Sequence, residues 1–418
     1  MNRKKLCVCI PTYNRCDAIK RVLDTELAIF EKYEIDMIIC DSSNHQDIEL
    51  LVDEYIQNGS RSLFYKKYDS STPSNEKVFQ IFQWAAASEY SFIWLIHDHT
   101  VCNEDAVRYL MKELDKKHDF YLLNMQAGSY ASENFKSMNE FLLKGAWRLN
   151  SFGASVINTQ TFLKGADWNK IRQKYGGAKT LNYSHIGFYF ERAAEMKRLD
   201  ACQVFFERKD FLDFYRTREI SWSNDTLRIC LECWGEVISR LPEIYTNKTE
   251  VMRTQDKWFL SKYSLLIYKK EKKYDFQTFL KYRKWIKRIY PKDYVRDFLI
   301  SFLPVKLSFK IYTGALAARI SDRKRNGGDV YIFGAGRHAA ECAAFFGECG
   351  MAFDGFVVTS LEGNPNELSG HPVYLAESRL KKRQSLVVIA VLSSGVEGVM
   401  NTLQAIQDDN TSIEAITF

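Results

Sequence analysis

The chain has 418 residues, 46% of them hydrophobic and 26% charged, the balance of a soluble globular protein and, at this length, of two or three domains rather than one core. No run of about 18 uncharged apolar residues suggests a membrane span, so any membrane contact is expected to be peripheral. The net charge of +6 is unevenly spread: Lys257 to Arg325 holds 19 Lys and Arg against 5 Asp and Glu, which points to an anionic partner for that stretch.

The opening MNRKKLCVCIPTYN runs almost directly into a strand and leaves no room for a signal peptide, so a cytoplasmic location is expected. The ten cysteines are scattered, and Cys7, Cys9 and Cys40 lie in apolar strand-like runs where a reduced thiol behaves as a small hydrophobe. Cys230 and Cys233 have CxxC spacing, but no second pair completes a zinc site.

Along the chain, short β-rich apolar runs alternate with helix-length segments, the pattern of a parallel sheet with crossover helices. LCVCIPTY is the first strand, Asp17 to Lys32 the first helix, DMIICDSS the second strand and Gln46 to Asn58 the second helix. SLFYKK is a short third strand, Asn75 to Ala87 a further helix, and SFIWLIHD a strand that ends in a polar cluster. Ligands of open α/β sheets bind outside the carboxyl ends of the strands, so Thr12, Tyr13, Asn14, Asp41, Ser42 and Asp98 are expected to face one crevice. From about Phe120 to Tyr245 the pattern is mixed and loop-rich. Gln255 to Arg325 then reads as helical, basic and aromatic, RKRNGG as a linker, and DVYIFGAG as the start of a second βαβ pattern. The expected architecture is α/β with boundaries at 1–250 (donor half 1–110, acceptor half 111–250), 251–326 and 327–418.

CIPTYNR, the strand-end aspartate of IICDSSN and the later IWLIHDHT together resemble the family 2 glycosyltransferases of the GT-A fold, particularly bacterial enzymes of capsule, lipopolysaccharide and teichoic acid assembly. The resemblance is good from Lys5 to Leu110 and thins towards Tyr245. It implies that Pro11, Thr12, Tyr13 and Arg15 line a uridine and diphosphate pocket, and that Asp41, with Ser43 beside it, accepts a hydrogen bond from uracil N3–H. Asn75 and Lys77 match the family's polar pair on the helix before the aspartate cluster, and either approach the donor or form an exposed helix face.

The family's metal motif is two or three consecutive aspartates, whereas here the strand ends His97, Asp98, His99, Thr100. Asp98 falls on the first family aspartate. Two readings stay open: Asp98 and His99 hold Mg²⁺ or Mn²⁺ with phosphate oxygens, or His97 or His99 with Arg15 or Lys77 supplies the positive charge without a metal. The general base of an inverting reaction is expected near the start of a helix in NYSHIGFYFERAAEM, where His185 and Glu191 are the candidates. Trp222, in the polar run REISWSND, is the aromatic side chain named for stacking on an acceptor sugar.

KYSLLIYKKEKKYDFQTFLKYRKWIKRIY mixes basic and aromatic residues at helical spacing, which suits either a helix in an anionic headgroup layer or a solvated bundle. Its cations Lys281, Arg283, Lys284, Lys287 and Arg288 carry the first reading, and no nucleic-acid motif accompanies the charge. In the tail, Gly334, Gly336 and Ala339 have the spacing of a dinucleotide fingerprint, with Arg337 beside them, but the next strand, DGFVVTS, ends without the acidic residue that would hold a ribose. This tail resembles the small Rossmann-like domains beside sugar acyltransferases, with a nucleotide or an assembly role, including pairing of identical chains, as its expected uses. The function expected is an inverting transfer of a hexose or N-acetylhexosamine from a UDP-sugar to a surface-glycan or lipid-linked acceptor. The alternatives are an NAD-dependent oxidoreductase built on GAGRHAA and an inactive regulator that binds glycan or nucleotide.

Overall fold

The computed structural model describes residues 5–124, 130–198, 200–206, 210–213, 225–255, 257–381, 384–391, 395–407 and 413–417. It divides into two compact units, Met1–Gln255 and Asp256–Phe418.

In the first unit β1 (Leu6–Thr12) is buried along almost its whole length, as a strand covered on both faces must be. The chain continues through α1 (Cys16–Lys32), β2 (Asp36–Asp41), α2 (Asp47–Gln57), β3 (Leu63–Lys67), α3 (Ser74–Ala87), β4 (Phe92–Leu95), β5 (Thr100–Cys102) and α4 (Glu104–Leu114). Helix α1 buries Ile19, Val22, Leu23, Leu27 and Phe30, the stripe of a 3.6-residue period packed on a sheet. Next come β6 (Phe120–Asn124), β7 (Ala131–Asn134), α5 (Met138–Gly145), β8 (Ser155–Asn158), α6 (Trp168–Tyr175), α7 (Ser184–Met196), β9 (Ala201–Phe205), β10 (Phe211–Asp213), α8 (Trp234–Arg240) and α9 (Lys248–Met252).

The main sheet has the order β3-β2-β1-β4-β8-β6-β9-β7, and β5 pairs with β10. Strands β3, β2, β1 and β4 are parallel, while β8 runs antiparallel to both neighbours. The chain leaves β1 towards β2 on one side and returns to β4 on the other, so a topological switch point lies between the carboxyl ends of β1 and β4. Helices α6 and α7 meet closely at Gly187, where a Cβ would overlap the Tyr175 ring.

The second unit begins with α10 (Lys262–Lys270), α11 (Phe276–Ile289), α12 (Tyr294–Phe302) and α13 (Val305–Arg325). It then folds as β11 (Asp329–Phe333), α14 (Arg337–Glu348), β12 (Gly355–Val358), β13 (Glu367–Leu368), β14 (His371–Leu375), α15 (Ala376–Leu380), β15 (Ser385–Ile389), α16 (Val396–Ile406) and β16 (Ile413–Thr417). The sheet order is β13-β14-β12-β11-β15-β16, around a core that includes Tyr331, Phe333, Val357, Val387 and Ile389.

The second unit departs from the sequence reading at one point. The basic run before Gly327 is the end of α13, where Arg323 pairs with Glu414 at 3.0 Å and Lys324 pairs with Asp354, so its charge is neutralised in place rather than carried on a linker. On α11 the apolar and aromatic residues Tyr282, Trp285, Ile286 and Ile289 are buried, whereas Lys281, Arg283, Lys284 and Lys287 face outward. Among the described residues no helix is long and apolar enough to cross a membrane.

Candidate active site

The site grows from the carboxyl end of β1. After Thr12 the chain turns through Asn14 at φ 53°, a left-handed conformation that asparagine tolerates better than most residues, and this turn sets Arg15 at the start of α1. Across the switch point Thr12 Oγ1 donates to Asp98 Oδ2 at 3.1 Å and Arg15 Nη1 donates to Asp98 Oδ1 at 3.0 Å. His99 Nδ1 lies 3.2 Å from the same Oδ1. An ionised carboxylate only accepts, so Nδ1 carries the proton and Nε2 of a neutral His99 keeps its lone pair. Burial alone would raise the Asp98 pKa, but the His99 hydrogen bond, the Arg15 charge and the Thr12 hydroxyl outweigh it and hold the group below its ordinary value.

Lys77, on α3, ties this end of β1 to β2. Its Nζ donates to the Thr12 carbonyl at 2.8 Å and to Ser42 Oγ at 2.7 Å. Burial pushes its pKa down, against the fields of Asp41 and Asp98. Asn75, two residues earlier, donates to the Gly176 carbonyl at 2.7 Å, and its Oδ1 is buried without a hydrogen-bond partner. Pro11 stays within β1 opposite Cys40. Tyr13 is exposed, and its hydroxyl accepts from Asn44 Nδ2 at 3.1 Å.

Asp41 ends β2 with no exposed surface. Its Oδ1 accepts from the Ser43 N–H at 2.7 Å and the Ser43 hydroxyl at 2.5 Å, and its Oδ2 from the Tyr65 hydroxyl at 2.8 Å and Lys67 Nζ at 3.1 Å. Burial raises its pKa, but these four hydrogen bonds win and leave it lowered. They fill the roughly four lone-pair positions of a carboxylate, so a nucleobase N–H reaching Asp41 must displace one donor. Lys67, with a side chain 43% exposed, is the least costly to move. Tyr65 and Lys67 were not singled out from the sequence. The strand-end rule reaches them, because Lys67 stands in register with Asp41 on the neighbouring strand.

A row of rings links the candidate base to the switch point. His97 stacks on His99 at 4.6 Å, Phe152 lies 5.1 Å from His97, and His185 lies 5.0 Å from Phe152. The Phe152 N–H donates to His97 Nε2 at 3.2 Å. His185 Nε2 stands 2.8 Å from the Leu149 carbonyl, which only accepts, so the neutral ring is protonated at Nε2 with its lone pair on Nδ1. Burial pushes His185 down to about 4 and is the largest cause that pushes His97 down to about 3. Glu191 is not brought to this row. It is held by Lys174 at 2.6 Å, Lys170 at 3.0 Å and the Tyr175 hydroxyl at 2.9 Å, and these bonds lower its pKa in spite of burial. Trp222 lies outside the described residues.

The metal reading meets a definite arrangement. The carboxylate of Asp98 already carries a guanidinium, an imidazole N–H and a hydroxyl, and among the described residues no group of three His, Cys, Asp or Glu is placed to hold an ion. As placed, these side chains do not form a divalent-cation site. In the second unit Gly334 adopts φ +115°, where a Cβ would lie 3.2 Å from the Ala390 carbonyl. Gly336 caps α14 without a side-chain bond, and Arg337 is paired with Glu341 at 2.7 Å.

Parallel β3-β2-β1-β4, an antiparallel β8 and a buried aspartate after β4 are the arrangement of the GT-A fold. Residues 7–198 match the family model described as Glycosyl transferase family 2. Among solved structures, S. aureus TarS 1-349 is similar at 14% identity and a TM-score of 0.47, over 74% of this chain and 92% of that one. The complex of S. aureus TarS 1-349 with UDP-GlcNAc gives 13% and 0.42 over 78% and 93%. The mannosyltransferase PcManGT from Pyrobaculum calidifontis, in complex with GDP-Man and Mn²⁺, gives 12% and 0.38 over 60% and 71%. No curated protein matches the chain.

Proposed function

We propose that the first unit is an inverting, cytoplasmic-side glycosyltransferase that takes a hexose or N-acetylhexosamine from a UDP-sugar and passes it to a surface-glycan or lipid-linked acceptor. The observation that carries this reading is that Asp41, at the end of β2, and the Arg15–Asp98 pair, across β1 and β4, stand at neighbouring strand ends joined through Lys77, on the edge of the sheet where open α/β folds bind ligands. Uracil N3–H takes the place of Lys67 on Asp41, and the released ammonium is then free to meet a base carbonyl or phosphate. The acceptor hydroxyl attacks the anomeric carbon, the bond to the β-phosphate oxygen breaks and UDP leaves. Arg15 supplies positive charge where negative charge develops on that oxygen, as preorganised donors do, and Lys77 lends its charge from beneath the β1 and β2 ends. The acceptor proton passes to His185 Nδ1, while Asp98 orients Arg15 and His99.

The reading is tested by following UDP release from a panel of UDP-sugars, with Mn²⁺ and with excess chelator. Turnover of at least one UDP-sugar supports it. A folded protein that binds no UDP but binds a reduced nicotinamide overturns it.

A further inference from the structure

Exposed hydrophobic side chains scattered singly are ordinary in a folded protein, whereas a cluster marks a contact surface. Among the described residues fourteen large hydrophobic side chains are exposed, and seven of them fall between positions 276 and 311. On α12, Val295, Leu299 and Phe302 recur at i, i+4 and i+7, the spacing of one helix face, and are 67%, 37% and 63% exposed. The helix ends at Phe302, and α13 starts at Val305 after an extended Pro304. The resulting tip presents Phe302, Pro304, Val305 and Leu307 to solvent, with Ile311 one turn further on. Phe302 is braced from behind, since Phe276, Phe298 and Phe302 form a cluster with ring centroids 5.9–6.2 Å apart.

On the tip itself the exposed charges are basic, while the exposed Asp275 lies beside it, one residue before Phe276. Between positions 294 and 318 the charged residues are Arg296, Asp297, Lys306 and Lys310. Asp297 is buried and paired with Arg296 at 2.7 Å, so the fully exposed charges are Lys306 and Lys310.

We propose that the α12–α13 tip inserts into the headgroup layer of an anionic lipid bilayer, with Phe302, Val305 and Leu307 entering the acyl boundary and Lys306 and Lys310 remaining among the phosphates. Apolar side chains interleaved with lysines suit that boundary, because the lysine stems lie along apolar surface while their ammonium groups stay at headgroup level. A second copy of the chain is a poorer occupant. A self-complementary contact through this tip would bring Lys306 and Lys310 towards their own images, and no acidic residue lies between positions 298 and 321. The outward cations of α11 add attraction to the same surface, but most of its apolar side chains are spent on the core, so insertion falls to the tip. This inference does not depend on the transferase reading.

The test uses the full chain with vesicles of about 30% phosphatidylglycerol in phosphatidylcholine, against phosphatidylcholine alone, sedimented at moderate salt. The wild type is expected to sediment with the anionic vesicles only. Phe302→Ser with Val305→Ser is expected to lower partitioning by at least about tenfold, from the lost apolar insertion. Lys306→Gln with Lys310→Gln is expected to lower it by a comparable factor, each basic residue contributing on the order of fivefold. Since all four side chains are exposed, circular dichroism and melting of the variants should match wild type. Phe302→Trp should gain fluorescence quenched by lipids brominated in their acyl chains. A wild type that stays in the supernatant overturns the proposal, and so does wild-type partitioning by the double-serine variant. A concentration-dependent dimer in light scattering that the same two substitutions abolish gives the tip to a second copy and overturns it as well.

Discussion

Arg15 and Asp98 meet across the β1–β4 switch point, a guanidinium at the head of α1 standing 3.0 Å from a carboxylate 83 residues later in the chain. The carboxylate is nearly inaccessible and the guanidinium about one-third exposed, so the pair offers a held positive charge at the mouth of the site. Arg15→Ala is expected to lower kcat/KM with a UDP-sugar by about 2–4 kcal/mol, the scale of a lost preorganised donor. Asp98→Asn is expected to lower it as well. Because the two groups act through one contact, the double variant should lose less than the sum of the singles. Steady-state kinetics on the four proteins check this, and strict additivity would separate the residues.

The tautomer and burial of His185 set a pH signature. With its pKa pushed down to about 4, the Nδ1 lone pair is available throughout the neutral range, so the acid limb of kcat that it controls should fall near pH 4 and leave the profile flat from about 5 to 8. His185→Gln should cost about 10²–10⁴ in kcat with UDP affinity unchanged. For stability the sign is opposite to that of a partnered histidine. The folded pKa lies below the ordinary 6.5, the unfolded chain takes up the proton first, and stability is lost as pH falls from about 6.5 towards 4. A limb near pH 6–7 that disappears in His185→Gln would contradict the buried placement.

Glu26 is a buried carboxyl on α1 that accepts the Cys102 N–H at 3.0 Å, three residues beyond His99. Burial raises its pKa from 4.5 to about 8, with the Cys102 hydrogen bonds opposing. The folded state therefore holds a proton that the unfolded chain releases, and its contribution to stability falls as pH rises from about 4.5 to 8. Glu26→Gln keeps an acceptor for Cys102 without the ionisable group. It should be more stable than wild type at pH 8, by on the order of 2 kcal/mol, with the gap closing near pH 4.5. Urea unfolding at the two pH values measures it.

Helices α6 and α7 provide a packing test. The Tyr175 ring occupies the space above Gly187, and its hydroxyl is fixed to Glu191 at 2.9 Å. Gly187→Ala gains about 1 kcal/mol of helix propensity, but forces apart a contact whose ring is anchored at both ends, an overpacking cost of about 1–3 kcal/mol. A lower melting temperature is expected, with partial recovery in Gly187→Ala combined with Tyr175→Leu.

The sequence made the first four parallel strands and their helices legible because their signals are local. Helix α1 begins and ends within a residue of the expected Asp17 to Lys32, and α3 within a residue of Asn75 to Ala87. The polar strand ends at Thr12, Asp41 and Asp98 could be read because burial on both faces makes parallel strands into unbroken apolar runs. What could not be read depends on contacts distant in sequence. The lysines that neutralise Glu191 come from another helix, and the Leu149 carbonyl that fixes the His185 tautomer comes from the short 3-10 turn Arg148–Asn150. Likewise the 3.6-residue period of α11 shows that it is two-faced, but not that its aromatic face turns inward. That left the exposed ridge to α12 and the start of α13, where only the packed structure shows Phe302 uncovered.

The central claim is that Asp41 reads the base of a uridine nucleotide at the β1–β2 strand ends, and calorimetric titration with UDP tests it most directly. Wild type should bind UDP, and Asp41→Ala should lose about 1.5–3 kcal/mol of affinity, the scale of a hydrogen bond to a charged group, while its circular dichroism and melting still report a folded protein. Wild-type affinity for UDP in a folded Asp41→Ala protein would contradict the account.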